Sequence, residues 1–111
     1  MASVKAELSI RRSTNARGVV LSLAGELDVS SARSLEKELR ALQSEGQGHV
    51  RLDLGGLSFV DSAGVSVLVK AKREASERGD ALILSRPTPQ VHGVFSLLGL
   101  VQWLSYDEGA G

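Results

Sequence analysis

The sequence predicts an α/β domain, with a mixed, mostly parallel sheet that opens on an antiparallel hairpin and carries helices packed on it. Three observations predict this. Strand–helix–strand order occurs twice, through Leu23–helix–Val50 and through Leu54–helix–Leu82. Each implies a right-handed crossover and parallel pairing. Before them, two strand-like runs are separated by a short polar stretch ending in Gly18, the pattern of a hairpin. The 111 residues suit one domain, placed at 4–106, with 107–111 read as a disordered C-terminal end. No repeat, linker or low-complexity segment interrupts it.

The elements follow from the spacing of apolar residues. Val4, Ala6, Leu8 and Ile10 alternate with Lys5, Glu7, Ser9 and Arg11, the period of a first strand. Ser13 to Gly18 reads as the hairpin connection. Val19-Val20-Leu21-Ser22-Leu23 is more apolar, hence more central, and Gly25-Glu26-Leu27-Asp28 leads out of the sheet. Ser30 or Ser31 is placed to cap a helix with Ala32, Leu35, Leu39 and Leu42 on one face. On it, Glu36 and Arg40 stand one turn apart in the favourable order. Glu45-Gly46-Gln47-Gly48 ends that helix. Val50, Leu52 and Leu54 alternate with His49, Arg51 and Asp53 in the central strand, after which Gly55-Gly56 lifts the chain away from it.

A second helix runs from Ser62 to about Arg78, with Val65, Leu68, Ala71 and Ala75 on one side and Gly79 as its C-terminal cap. The opening Val65-Ser66-Val67-Leu68-Val69 is more apolar than one stripe needs, and β-branched residues are not chosen there for helix propensity. The run reads as a helix wedged at the domain centre. Ala81-Leu82-Ile83-Leu84 is a further strand. Thr88 caps a third helix with Pro89 at its first position, Val91, Val94, Phe95 and Leu98 on its apolar face, and Gly99 at its end. Val101 to Tyr106 is read as a last edge strand.

Composition narrows the function. Thirteen basic and thirteen acidic residues cancel, whereas a nucleic-acid binder normally shows a basic excess. There is no cysteine, which excludes disulfides, thiolate metal sites and thiol catalysis. No apolar run approaches the ~20 residues of a membrane span, and the N-terminus lacks a signal peptide's apolar core. The expectation is a cytoplasmic protein without direct nucleic-acid or membrane contact. Aromatics are only 4% of residues, so Leu, Val, Ala and Ile must build the core.

The stretch with the most chemical content is Leu52 to Val65. A serine at the mouth of a helix can cap free backbone N–H groups, and the same place suits a phosphate, because those groups and the helix dipole point at it. Asp61 beside Ser62 offers a second capping oxygen, so the Ser62 hydroxyl is not indispensable there. Asp61 itself reads either as a cap or as the group that orients Ser62. A serine hydrolase would need a histidine base within reach of Ser62. The two histidines are His49, at the start of a strand, and His92, on another helix. The Gly-x-Ser-x-Gly elbow is absent. No enzyme, cofactor or metal site is expected. Gly46-Gln47-Gly48 lacks the Lys-Ser/Thr of a phosphate loop, and Trp103 and Tyr106 read as packing residues.

Phe59-Val60-Asp61-Ser62-Ala63-Gly64 resembles the signature of STAS domains, the anti-sigma factor antagonists of bacteria. Gly25-Glu26-Leu27-Asp28 and Leu98-Gly99-Leu100 resemble two further landmarks of that family, in the right order. The resemblance covers about Leu8 to Leu104 and implies a single STAS-like fold. It implies that Ser62 is phosphorylated by an anti-sigma factor serine kinase. Unphosphorylated protein would bind that kinase and free the sigma factor, phosphorylated protein would let go, and a phosphatase would reset Ser62. It places Asp28, Asp61, Ser62, Ala63 and Gly64 at the partner surface. Ala63 departs from the commoner Ser or Thr, so no back-up hydroxyl stands there, and Val65 replaces the more usual Leu. Family members commonly carry a further C-terminal helix, so the chain reads as trimmed at that end. The rival reading within the fold is a STAS scaffold or an accessory subunit of a signalling or membrane-transport complex.

Overall fold

Four strands lie in the order β1-β2-β3-β4 in a computed structural model that describes residues 6–106. β1 (Ser9–Asn15) and β2 (Gly18–Leu27) form an antiparallel hairpin. Helix α1 (Ala32–Ser44) leads to β3 (His49–Val60), and α2 (Ser62–Glu77) leads to β4 (Ala81–Ser85). Helix α3 (Pro89–Leu97) and a 3₁₀ turn (Val101–Trp103) complete the order. The β2–β3 and β3–β4 pairs are parallel. Right-handed crossovers that step one way across a sheet leave their helices on one face, and strand burial agrees. Leu21, Leu23, Leu52, Leu54 and Leu84 are buried in one core with Leu35, Leu68, Val91 and Phe95 of the helices. Val20, Ser22, Arg51, Asp53 and Ile83, the alternate positions, are only half-buried.

The parallel strands, the antiparallel edge and the three helices are as predicted; several bounds are not. Ser13, Thr14 and Asn15 are ladder residues paired with Val20, Val19 and Gly18, which confines the connection to Ala16 and Arg17. Backbone pairing does not need apolar side chains, and an edge strand with an exposed side accepts polar ones. Val4 and Lys5, expected in this strand, and 107–111, expected to be a disordered end, lie outside the described residues.

The larger correction concerns β2 and β3. Gly25-Glu26-Leu27 stays in the sheet, and β3 runs through Gly55-Gly56 to Val60. The glycines do not lift the chain away from the strand. Ser22 pairs with Asp53 whereas Glu26 pairs with Phe59, so β3 carries two extra residues over that span, taken up at two register shifts. A Cβ on Gly56 would come within 2.7 Å of the Leu23 carbonyl oxygen and 2.9 Å of the Ala24 Cβ. Glycine lets the bulged strand stay close enough to pair.

Helix α1 buries Ala32, Leu35 and Leu42 with Leu39 packed against the core. Glu36 meets both Arg40 and Lys70 of α2 at 3.8 Å. Helix α2 buries Val65, Leu68, Val69 and Ala75 against β4, β3 and α1 but exposes Ser66. Its apolar opening is therefore one broad stripe. In α3 the Thr88 hydroxyl accepts from the Val91 N–H at 3.3 Å, with Pro89 at the first position. Leu98, expected on the apolar face, is exposed, because the helix closes at Leu97 and Leu98 is its C-cap.

Val101 to Tyr106 is not a strand. It is the 3₁₀ turn followed by one parallel bridge from Ser105 to Ser85. The outer edge of β4 already has partners: Lys72 Nζ donates to the Leu82 carbonyl at 2.7 Å, and Ser105 N donates to that of Leu84 at 2.7 Å.

Candidate functional site at the entrance of α2

Because β2 and β3 are parallel and end in register, Leu27 beside Val60, the segments that follow them emerge together at one edge of the sheet. Asp28-Val29-Ser30-Ser31 leads into α1, and Asp61 leads into α2.

Asp61 is the N-cap of α2 and Ser62 is its first helical residue. Asp61 Oδ1 accepts from the Gly64 N–H at 2.9 Å and Oδ2 from the Val29 N–H at 3.3 Å. Its own N–H donates to the Leu27 carbonyl at 3.2 Å. One carboxylate therefore caps the helix and clips the neighbouring loop to it. Ser62 is exposed, and its hydroxyl makes no hydrogen bond to the described residues. It sits in the first turn, where backbone N–H groups lack intrahelical partners and an anion is favoured.

Gly64 is buried. A Cβ there would lie 2.7 Å from the Leu27 carbonyl oxygen and 2.8 Å from both Leu27 Cγ and Val60 Cγ2. Its absence lets the first turn of α2 settle on the ends of β2 and β3. Ala63 is half-buried. Asp28 is 6% exposed. Its Oδ1 accepts from the N–H groups of Ser30 (3.0 Å) and Ser31 (3.2 Å) and from the Ser30 hydroxyl (2.7 Å). Ser31 occupies the N-cap position of α1 without a side-chain capping bond; its hydroxyl donates to the Glu26 carbonyl at 3.0 Å. Neither serine caps α1 with its side chain as expected, because Asp28 and the strand end hold both hydroxyls.

The structure thus gathers all five predicted residues and divides them. Ser62 faces solvent, Asp61 and Ala63 are partly covered, and Asp28 and Gly64 lie beneath. Two residues at this edge went unread in the sequence: Val29, 75% exposed, and Phe59, 37% exposed. Val29 had a signal, since an apolar residue between Asp28 and Ser30 lies in a turn with no stripe to join. Phe59 had none. The bulges of β3 break its alternation, so that Leu57 and Val60 are buried while Ser58 and Phe59 between them are exposed.

The histidines are elsewhere. His49 opens β3, the strand that ends beside Asp61, and His92 on α3 packs edge-on against Tyr106 with ring centroids 5.8 Å apart. Among the described residues no cluster of three His, Cys, Asp or Glu side chains is placed to hold a metal, and no helix is long and apolar enough to cross a membrane.

Comparison with known proteins gives a consistent result. Residues 10–105 match the family model described as Mlab, STAS domain. The anti-sigma F factor antagonist of Lysinibacillus sphaericus is 33% identical over 87 residues, covering 78% of this chain and 74% of that protein. The anti-sigma factor antagonist SpoIIAA in its unphosphorylated form superposes with a TM-score of 0.75 at 29% identity, covering 92% of each chain. The Bacillus cell fate determinant SpoIIAA in the phosphorylated form superposes at 0.70 and 27%, covering 92% of this chain and 96% of that one.

Proposed function

The chain belongs to the STAS domain family, and on that premise we propose that it is an anti-sigma factor antagonist switched by phosphorylation of Ser62. The unphosphorylated form binds an anti-sigma factor serine kinase and releases the sigma factor; phosphorylation ends that binding, and a phosphatase restores it. The relatives are named as antagonists, and one structural neighbour is described in both phosphorylated and unphosphorylated forms. The observation in this chain that carries the reading is the division of labour between Asp61 and Ser62. Asp61 takes the capping and clipping bonds, which leaves Ser62 exposed at a helix entrance without a structural task for its hydroxyl.

The consequence of modification follows from charge. A phosphoserine adds about −1.5 to −2 charge and three acceptor oxygens. The α2 entrance tolerates this, since a helix N-terminus stabilises an anion by ~0.3–1 kcal/mol at an exposed position. A partner that presents carboxylates or apolar groups to the same spot does not, and like charges across an interface cost several kcal/mol. Val29 and Phe59 offer apolar contact to that partner, and Ser62 and Ala63 stand in the first turn of α2. Asp28 and Gly64 act from beneath, holding the loop and the helix start in place. The domain supplies a surface and a phosphate acceptor, and no catalytic group of its own.

The test is phosphopeptide mapping after incubation with the candidate anti-sigma kinase and ATP, together with binding to that kinase before and after. A single phosphate on Ser62 with loss of binding supports the switch. Ser62→Ala then binds permanently, and Ser62→Asp is weakened by ~100-fold, the equivalent of about 2.7 kcal/mol. No phosphate on Ser62, with recovery of the chain in a large assembly or a permease complex, would replace the switch with the scaffold or transport reading.

A further inference from the structure

Helices α1 and α2 each connect two parallel strands, so they run side by side in the same direction. Both therefore begin at the edge that carries Ser62, and the surface of α1 is continuous with that edge. Ala32, Leu35, Leu39 and Leu42 turn one face of α1 to the core. On its outer side Arg33, Lys37 and Arg40 recur at the i, i+4, i+7 spacing of a single ridge. All three are exposed. Lys37 lies only ~8 Å along the axis from the start of the helix, and Val29, 75% exposed, stands just before it.

The ridge is cationic because the acids near it are outnumbered or turned elsewhere. Arg33 and Lys37 form no ion pair with the described residues. Arg40 and Lys70 of α2 share the one carboxylate of Glu36, each at 3.8 Å. Four cations thus stand against one acid. Glu38 lies within electrostatic reach of Arg12 on β1, and Glu45 pairs with that same arginine. Glu74 and Glu77 stand in the last turn of α2, at the far end from Ser62. The first turns of both helices hold no acidic residue. The chain as a whole is neutral, so the imbalance belongs to this surface.

We propose that the kinase partner meets this edge with an acidic surface, recognised by Arg33 and Lys37; this rests on the switch described above. Carboxylates of the partner pair with the two cations while Val29 supplies apolar contact beside them. Exposed charges at an interface act mainly on the rate of association and on the choice of partner. A phosphate on Ser62 brings about −1.5 to −2 charge to the same edge, where it offsets the cations that draw the partner in. Nucleic acid fits less well. From Arg33 to Arg40 the ridge spans ~10 Å, which reaches few phosphates, and the Glu36 carboxylate stands beside it.

The experiment measures the association rate of the full chain with the candidate anti-sigma kinase at low and high salt. The parent rate should fall about tenfold between roughly 0.05 and roughly 0.5 M sodium chloride. Arg33→Glu combined with Lys37→Glu should slow association about tenfold at the lower salt and remove most of the salt dependence. The milder pair Arg33→Gln with Lys37→Gln should slow it about threefold. Arg11→Glu is the control, an exposed reversal of charge on β1 in the row of Ser22, and should leave the rate within about twofold. Parent-like association by both α1 pairs, with phosphorylation of Ser62 still ending binding, would overturn the acidic-partner assignment and leave the switch standing. Equal slowing by Arg11→Glu would overturn it as an effect of overall charge. No binding by the unphosphorylated parent would remove the switch and this proposal with it. Retardation of duplex DNA by the parent but not by the Arg33→Glu, Lys37→Glu pair would reassign the ridge to nucleic acid.

Discussion

Two helices start side by side at the carboxyl edge of the sheet, and they use the same ingredients to opposite effect. The entrance of α1 has Asp28 followed by Ser30 and Ser31; that of α2 has Asp61 followed by Ser62. At α1 the aspartate is buried and both serine hydroxyls are spent on the turn, Ser30 on Asp28 Oδ1 and Ser31 on the Glu26 carbonyl. At α2 the aspartate takes the bonds and the serine takes none. An Asp–Ser pair is thus not in itself a modification site. What distinguishes Ser62 is that it stands one residue inside the helix, where its side chain points out and a neighbour does the capping.

The comparison can be broken most severely at Gly64. Gly64→Ala forces a methyl group to within 2.7 Å of the Leu27 carbonyl oxygen, and overpacking of that kind costs about 1–3 kcal/mol. We expect the upper end, about 3 kcal/mol in chemical denaturation, because backbone is what must move. Asp28→Ala strips the acceptor from two backbone N–H groups and one hydroxyl in a part-buried turn, for a loss of about 2 kcal/mol. Asp61→Ala removes the α2 cap and should cost about 1 kcal/mol, with faster amide exchange at Gly64 and Val29 as its local signature.

The serines sharpen the contrast. Ser31→Ala should cost about 1 kcal/mol, since it removes a part-buried bond to the Glu26 carbonyl. Ser62→Ala should stay within about 0.5 kcal/mol of the parent. Equal losses at the two serines would show that Ser62 has a structural duty and would undo the distinction.

The smallest effect concerns the ion pair that ties the hairpin to the end of α1. The hydrogen bond from Arg12 at 3.2 Å holds the Glu45 carboxyl below its usual value of 4.5. A carboxylate with a depressed folded-state pKa adds stability above the unfolded value and loses it as pH falls through the folded one. Glu45→Gln should therefore flatten the fall in thermal stability below about pH 4.5 and change little at neutral pH, because both groups are exposed.

Much of this was legible in the chain. Alternation gave the core of β3, short apolar runs gave those of β2 and β4, and helical spacing gave the buried faces of α1 and α2. The Thr88-Pro89 start of α3 was readable because capping is local chemistry. The candidate site was legible by resemblance and by the Asp61-Ser62 junction. Leu98 was misplaced because helical periodicity continues in a sequence after the helix itself has ended. Val101 to Tyr106 failed for a related reason: apolar residues that pack on the core, such as Trp103 and Leu104, resemble strand residues, but only Ser105 of this segment bridges to β4.

By itself the sequence determined what local physics determines: which segments are periodic, where caps and turns stand, and that the sheet is parallel beyond its hairpin. Tertiary structure decided the rest. The bulged pairing of β2 with β3 turns Phe59 outward and brings Leu27 level with Val60. That register sets Asp61 beside Val29, so that one carboxylate serves two segments and Ser62 is released. No spacing along the chain encodes this, because it depends on how far one strand slips against another. That slip is fixed by long-range packing, through the room that Gly56 and Gly64 leave.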